Sequence, residues 1–258
     1  MPLFCGEAVS HAPWSLSKVQ SALRCPFSFQ CKYVNKVRGT PSVGAAANRI
    51  GKAAHVTLEW VLSGKHDLRE AMRRGAIKEK LTTVEMDDLF ALAHNIKGFL
   101  TRLDKFKQEH NVTEQAVERK FGLTLDLQPC GFWDNKTVFF RGVWDLCLKI
   151  QNKFLVIIDH KTGEEKELST YEDQLKMYAI AGVRVFPGVV RVQAALNYLE
   201  NEDSVTWAAP QQISEISNNL VPWFVKMVDA ATEAAASTEA KKGWWCKFCE
   251  HTGVCPLR

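Results

Sequence analysis

The sequence predicts an α/β fold, a stranded core dressed with helices, and three observations carry that reading. Phe140–Ile150 and Phe154–Lys161 are β-type runs separated by the polar residues Gln151, Asn152 and Lys153, the pattern of a hairpin. Residues 45–62 and 67–110 place apolar side chains at helical spacing, with no strand-like run among them. Beyond the hairpin, a helical segment containing Gln174 and Tyr178 is followed by strand-like runs at Val189–Leu199 and Val205–Trp207.

In chain order, the first helix, from Ala45 to Leu62, sets Gly51, His55 and Glu59 at four-residue steps and hence on one face; Gly51 lets a neighbouring backbone come close. Residues 67–110, rich in Leu, Lys, Glu and Ala, form a helical segment. Val117–Leu125 alternates well enough for a strand, with Glu118 at its start. In the hairpin, Phe154–Ile158 is five consecutive apolar residues, the mark of a buried strand, and it ends in Asp159-His160-Lys161. Strand side chains alternate, so Asp159 and Lys161 face one way and His160 the other.

A turn centred near Asn152 sets Asp145 opposite Ile158 or Asp159, which brings two acids within reach of each other; a slip of one residue would turn Asp145 to the other face. Like charges opposed across a hairpin cost stability. A divalent cation between them removes that cost, and such oxygen donors suit magnesium or manganese. For the next helix, Ser169 with Glu172, or Thr170 with Asp173, offers a capping-box start, after which Gln174 and Tyr178 lie one turn apart on the same side. Glu200-Asn-Glu-Asp203 joins the last two strands. Residues 210–236 read as helix, divided at Pro222, and Ala230–Ala240 reads as helix or as a lead into the C-terminal cysteines.

With 258 residues, 46% of them hydrophobic, the chain can bury one substantial core. Its net charge of +4, from 33 basic and 29 acidic side chains, excludes a simple polycation. Lys32, Lys36, Arg38, Arg49 and Lys52 form one local basic cluster for a phosphate backbone. No apolar run is long enough to span a bilayer, so no membrane partner is expected. Met1-Pro-Leu-Phe-Cys-Gly-Glu lacks the marks of a signal peptide. The expected location is the cytoplasm, or a host's cytoplasm for a viral protein, where the eight cysteines stay thiols or metal ligands.

Gly142-Val-Trp-Asp145, Ile157-Ile-Asp159-His-Lys161-Thr-Gly163 and Gln174-Leu-Lys-Met-Tyr178 resemble the RecB-type branch of the PD-(D/E)xK nucleases. Gly51-Lys-Ala-Ala-His55 is similar to that branch's upstream histidine helix, so five elements in order cover residues 51–178. The resemblance implies a restriction-endonuclease-like core, a central mixed sheet flanked by helices. It further implies magnesium- or manganese-dependent DNA cleavage, with Asp145, Asp159 and His55 as metal ligands and Lys161 as the catalytic lysine. Gln174 and Tyr178 would hold the substrate phosphate or orient Lys161, and Glu118 is a weaker candidate for the site.

Cys246-Lys-Phe-Cys249 and Cys255 can place three thiolates around one centre, and a fourth must come from elsewhere. Cys25 is the first candidate and Cys31 its rival; Cys5, Cys130 and Cys147 read as unrelated, Cys147 as a small buried hydrophobe. The layout Cys25, Cys246, Cys249, Cys255 is similar to that of the iron-sulfur nucleases of this branch, the AddB nuclease domain and CRISPR-associated RecB-type exonucleases, and implies a 4Fe–4S cluster. Ser15-Leu-Ser17 through Cys25-Pro26 resembles their N-terminal helix, which Pro26 would end, leaving the Cys25 sulfur at its tip. Structural zinc, with His251 replacing one sulfur, is the alternative occupant. Trp244 and Trp245 either cover the centre or stack on bases.

Four segments are expected: 1–43 with the first cluster cysteine, 44–115 with the histidine helix, 116–209 as nuclease core, and 210–258 with the C-terminal helix and cysteines. The implied activity is that of a deoxyribonuclease, an exonuclease on single-stranded DNA or DNA ends. No Gly-x-x-x-x-Gly-Lys-Ser/Thr phosphate loop is present, so unwinding would fall to a helicase or recombination partner. The alternative reading is a non-catalytic DNA-binding or interaction protein on the same fold with structural zinc. Polarity and oligomeric state are not encoded in any motif.

Overall fold

The computed structural model describes residues 12–40, 44–202 and 205–257; Cys5 and Asp203 lie outside the described residues. Helices α1 (Leu16–Arg24), α2 (Pro26–Phe29), α3 (Ala45–Leu62), α4 (Leu68–Lys78), α5 (Thr83–Ala91) and α6 (Ala93–Glu109) come first. Strands β1 (Val112–Leu123), β2 (Pro129–Cys130), β3 (Phe140–Ile150) and β4 (Phe154–Lys161) follow, then α7 (Glu172–Val185), β5 (Arg191–Tyr198), β6 (Val205–Trp207) and β7 (Gln211–Gln212). The chain ends with α8 (Ile213–Glu215), α9 (Val221–Ala235) and two short 3-10 turns. Residues 46–119 and 143–213 make one compact unit; 1–45, 120–142 and 214–258 make the other.

The first unit is a mixed sheet flanked by helices. β1, β3, β4, β5 and β6 are neighbours in that order, with β7 also on β5. β3 and β4 pair antiparallel from Ile150↔Phe154 to Leu146↔Ile158, so the hairpin turns about Asn152 as the sequence predicts. Gln151 and Asn152 take left-handed conformations at φ 47° and 58°, which a tight hairpin turn needs and Asn tolerates. β4 and β5 are parallel, with α7 in the crossover between them.

Alternation along the hairpin sorts its side chains onto two faces. Leu146, Leu148, Ile150, Val156 and Ile158 pack with residues of α3, α4, α5 and α6 such as Leu58, Met72, Leu89, Ile96 and Phe99. On the other face α7 lies so close that a Cβ on Gly182 would come within 2.9 Å of Leu155 Cδ2. Glycine is therefore what lets the helix seat there.

The second unit is built from the two ends of the chain and residues 120–142. Ser15 caps α1 by accepting the Lys18 amide at 3.4 Å, and the helix stops at Cys25 because Pro26 opens the next one. α9 buries Phe224, Val228 and Ala231, and Phe224 meets Phe140 edge-on at 5.1 Å. Trp14 stacks on Phe29 at 5.8 Å, and the Gln30 side chain donates to the Ala235 carbonyl.

Three local expectations are corrected. The strand read from Val117 begins five residues earlier, at Val112, so Glu118 sits in its interior. No capping box starts α7: a 3-10 turn over Leu168–Tyr171 precedes it, and Tyr171 caps it without a side-chain hydrogen bond. The helix read from 210 starts at Ile213, after β7, and runs on through α8, a π turn at Ile216–Leu220 and α9 to Ala235; the irregularity expected at Pro222 is the π turn just before it.

Candidate active site

Two groups of side chains converge at the end of the hairpin. In the first, His55 from the middle of α3 sets Nδ1 3.4 Å from Asp145 Oδ2 and 3.9 Å from Glu118 Oε1. Ligand atoms of these three residues all lie within 4.8 Å of one another. Glu118 reaches the group from inside β1 at φ 48°, a left-handed backbone that Glu rarely adopts and that re-aims the carboxylate. The turn of α3 before His55 carries Gly51, where a Cβ would meet Thr162 Oγ1 at 2.7 Å; only glycine allows that approach.

Asp145 ends the β3–β4 ladder. The strand pairing stops at Leu146↔Ile158, and the His160 amide instead donates to Asp145 Oδ2 at 2.7 Å. The acids are thus neighbours, though not as a simple opposed pair: the strands part where Asp145 turns to His55. His160 faces the other way from Asp159, as alternation requires, and packs edge-on against Phe99 at 5.1 Å while Asn197 reaches its Nδ1 at 2.9 Å.

The second group is a closed network on the α7 side. Tyr178 donates its hydroxyl to Asp159 Oδ1 at 2.5 Å, and Gln174 Nε2 donates to the same oxygen at 2.7 Å. Gln174 Oε1 accepts from Lys161 Nζ at 3.0 Å, so the amide faces a carboxylate with its N–H and an ammonium with its carbonyl. Lys161 Nζ lies 2.6 Å from Asp159 Oδ2 and 4.5 Å from the centre of the Tyr171 ring. Gln174 thus contacts Lys161 directly, whereas Tyr178 contacts Asp159.

The charges are strongly coupled. Burial lifts Glu118 to about 7 and repulsion from Asp145 adds to it. Asp159 is likewise raised by burial and by Asp145, against the pull of Lys161 and Tyr178. Burial would also raise Asp145, but the hydrogen bond and charge of His55 outweigh it and hold the group low. For His55, burial opposes the charge, yet the Asp145 bond and the surrounding acids bring it up to about 9. His160, buried, falls to about 4 and stays neutral.

The Asp145 bond and the surrounding acids thus favour the protonated form of His55. Two carboxylates and an imidazole within 4.8 Å fit a divalent cation, whose charge would serve instead and whose binding would release the His55 proton. Asp159 is outside this trio because Lys161, Gln174 and Tyr178 engage it; Glu118, the weaker candidate in the sequence, is inside it. A cleft of about 680 Å3 is lined by Asn48, Ile50, Asn95, Thr162 and Gly163 among others, the last two following Lys161 in the chain.

The other unit carries five thiols near the two ends of the chain. Cys25 and Cys31 are buried, and Cys246, Cys249 and Cys255 are half-buried. Burial raises the Cys31 thiol, and Cys249, Cys25 and Cys255 add to it, so these four are close neighbours. The Lys241 amide points at Cys25 Sγ at 3.5 Å and the Gly243 amide at Cys246 Sγ at 3.4 Å; the Ser28 hydroxyl lies 3.9 Å from Cys249 Sγ. Such donors favour thiolate ligands. Cys147 stands apart, and burial raises its pKa steeply, as for an inert hydrophobe. His251 is buried with neither ring nitrogen hydrogen-bonded, and Trp245 is half-buried whereas Trp244 is exposed.

Among the described residues no helix is long and apolar enough to cross a membrane. No curated protein matches the chain. One solved structure, described as the crystal structure of SSO0001, aligns with 93% of this chain and 95% of that one at 14% identity and a TM-score of 0.35, a likeness from which no shared property follows. The family model of the PD-(D/E)XK nuclease superfamily matches residues 13–256, nearly the whole sequence. The chain belongs to the PD-(D/E)XK nuclease superfamily.

Proposed function

We propose that the protein is a magnesium- or manganese-dependent deoxyribonuclease, an exonuclease acting on single-stranded DNA or DNA ends, whose chain termini are held by a structural 4Fe–4S cluster. The observation that carries the reading is the pairing of the two groups: an acid–histidine trio suited to a divalent ion beside an Asp-x-Lys pair locked by Gln174 and Tyr178. His55, Glu118 and Asp145 would hold the ion, and Asp159 would hold Lys161. A bound ion would supply a water of lowered pKa and charge to offset that growing on phosphate.

The chain's own residues then have separable tasks. Lys161, set against the Tyr171 ring and fixed by Gln174, would direct positive charge at the reacting phosphate oxygens. Asp159 keeps that ammonium in place, and Tyr178 keeps Asp159 in place. Tyr178→Phe is therefore a positioning change. It is expected to lower kcat about tenfold, roughly the worth of one hydrogen bond to a charged group, with the KM for DNA moving little. Steady-state cleavage by the two proteins checks the split.

For the cysteines, the cluster reading is supported by the placement of Cys25, Cys246, Cys249 and Cys255 in the one unit built from the chain ends. Cys25, Cys246, Cys249 and Cys255 are the proposed ligands, and amide or hydroxyl donors at the first three support that choice over Cys31.

The activity test is digestion of end-labelled single-stranded and duplex DNA by anaerobically purified protein. Cleavage is expected with magnesium or manganese and none with EDTA, as a product series shortening from one end. Equal cleavage in EDTA, or no cleavage of any DNA with either metal, would overturn the proposal.

A further inference from the structure

The basic residues singled out in the sequence include two that the fold neutralises: Lys32 pairs with Glu250 at 2.7 Å, and Arg49 pairs with Glu85. A different set of cations is left facing aromatic rings, all in the unit formed by the chain ends and residues 120–142. Lys120 Nζ lies 5.3 Å from the ring centre of Trp133 and 5.7 Å from that of Phe132. Arg141 lies 5.5 Å and 5.0 Å from the same two rings. Next along, Lys18 Nζ is 5.6 Å from the centre of Tyr33. Arg141 is near enough that its charge adds to burial in lowering the Lys18 pKa. None of these three cations is ion-paired to a carboxylate among the described residues.

Trp133 is the feature that packing does not explain. It is 69% exposed on the connection between β2 and β3, beside Phe132 at 4.7 Å edge-on. An exposed Trp on a loose loop would mean little, but this loop is tied down. Asp134 accepts the Thr137 hydroxyl at 2.6 Å and the Lys136 amide at 3.1 Å, its own amide donates to the Gly131 carbonyl at 3.1 Å, and its carbonyl accepts the Val138 amide at 2.9 Å. The one acid of the loop is thereby turned onto its own backbone, and the ring is presented in a set orientation, so little ordering is left to be done on binding.

An exposed Trp backed by half-buried Phe132 and Tyr33, beside cations whose protein hydrogen bonds are to the Pro13 and Phe132 carbonyls and not to carboxylates, has the chemistry of a single-stranded nucleic-acid track. Aromatic faces take bases of any sequence and the cations follow the phosphates. A duplex hides its base faces and gains from the cations alone. We propose that Trp133, with Phe132 and Tyr33, is a base-stacking platform for single-stranded DNA, and that Lys18, Lys120 and Arg141 bind the phosphates beside it. The proposal rests on the nuclease reading for its choice of DNA. Two of its cations stand on the strands that also carry Glu118 and Asp145.

The test measures binding and not cleavage. Full-length protein in EDTA is titrated into an end-labelled oligo-dT, into the same oligomer with abasic sites, and into a duplex of equal length, with fluorescence anisotropy as the readout. Trp133→Ala is expected to weaken oligo-dT binding on the order of tenfold or more, the usual effect of losing one stacked base. It is expected to leave the abasic and duplex affinities within about twofold, and Trp133→Phe to recover most of the loss. Lys120→Gln with Arg141→Gln is expected to flatten the salt dependence for the single strand, by about 0.7 in log–log slope for each phosphate no longer neutralised.

Equal losses on all three probes, or none on oligo-dT, would overturn the platform, as would failure of Phe to rescue a Trp133→Ala protein with a native melting temperature. If the metal-loaded protein cleaves no DNA but the oligo-dT and abasic affinities behave as stated, the nuclease reading fails and the platform stands. If it cleaves DNA and the affinities show no stacking difference, the platform fails and the nuclease reading stands.

Discussion

Asp159→Asn is expected to leave a folded protein whose DNA cleavage falls by about 100-fold or more. The reasoning starts from burial. Asp159 is 4% exposed, and its pKa is raised by that burial and by Asp145, so its charge is carried at a cost to the fold. Asn keeps an oxygen to accept from Tyr178 and Gln174, and it removes the repulsion with Asp145. The loss is the Lys161 ion pair, and Lys161 retains Gln174 and the Tyr171 ring. Stability should therefore change little in either direction.

Catalysis has no such compensation. The carboxylate holds the ammonium, and each roughly 1.4 kcal/mol of lost transition-state stabilisation is tenfold in rate. Lys161→Ala should cost a similar factor without moving the acids. Cleavage rates beside melting temperatures check both. Full activity in either folded variant, with its metal dependence intact, would remove Asp159 and Lys161 from the chemistry.

How much of this was legible before the structure depended on how local the cause was. Hairpin and turn follow from a five-residue apolar run and three polar residues, and the long helix from Ala45 to Leu62 follows from spacing; both match the structure end to end. That Asp159 and Lys161 share a side, and that Gln174 and Tyr178 do too, needs only strand and helix periods.

What was not legible is set by distant partners. Asp145 leaves the ladder because His55, on a helix far upstream, and the His160 amide are there to take its carboxylate. Glu118 joins the acids through a backbone conformation that Glu seldom adopts, so strand alternation could not place it. The helix read through 210–236 runs from Ile213 to Ala235, and its irregularity is a π turn at Ile216–Leu220 just before Pro222, which no periodicity signals. Trp133 gave no signal at all: only folding brings Lys120 and Arg141, 21 positions apart, to one ring.

Cys249→Ser is expected to abolish bound iron and to lower the melting temperature of the full chain by many degrees, with the losses concentrated in the unit built from the chain ends. A centre joining Cys25 to Cys246 closes a loop of more than two hundred residues, and loop-closure entropy for a link of that span is about 5 kcal/mol. That is comparable to the whole net stability of many domains. The apolar contacts of this unit, Phe224 on Phe140 and Trp14 on Phe29, remain, so the variant should retain helix while losing cooperative melting of residues 12–40 and 221–257. Cys31→Ser, at a thiol with no amide or hydroxyl donor among the described residues, is the control and is expected to keep its iron. Metal analysis, circular dichroism and hydrogen exchange of the two variants read these outcomes. If Cys249→Ser purifies without iron and melts as the parent does, the centre is not a staple, and the packing of α1 against α9 holds the chain ends by itself.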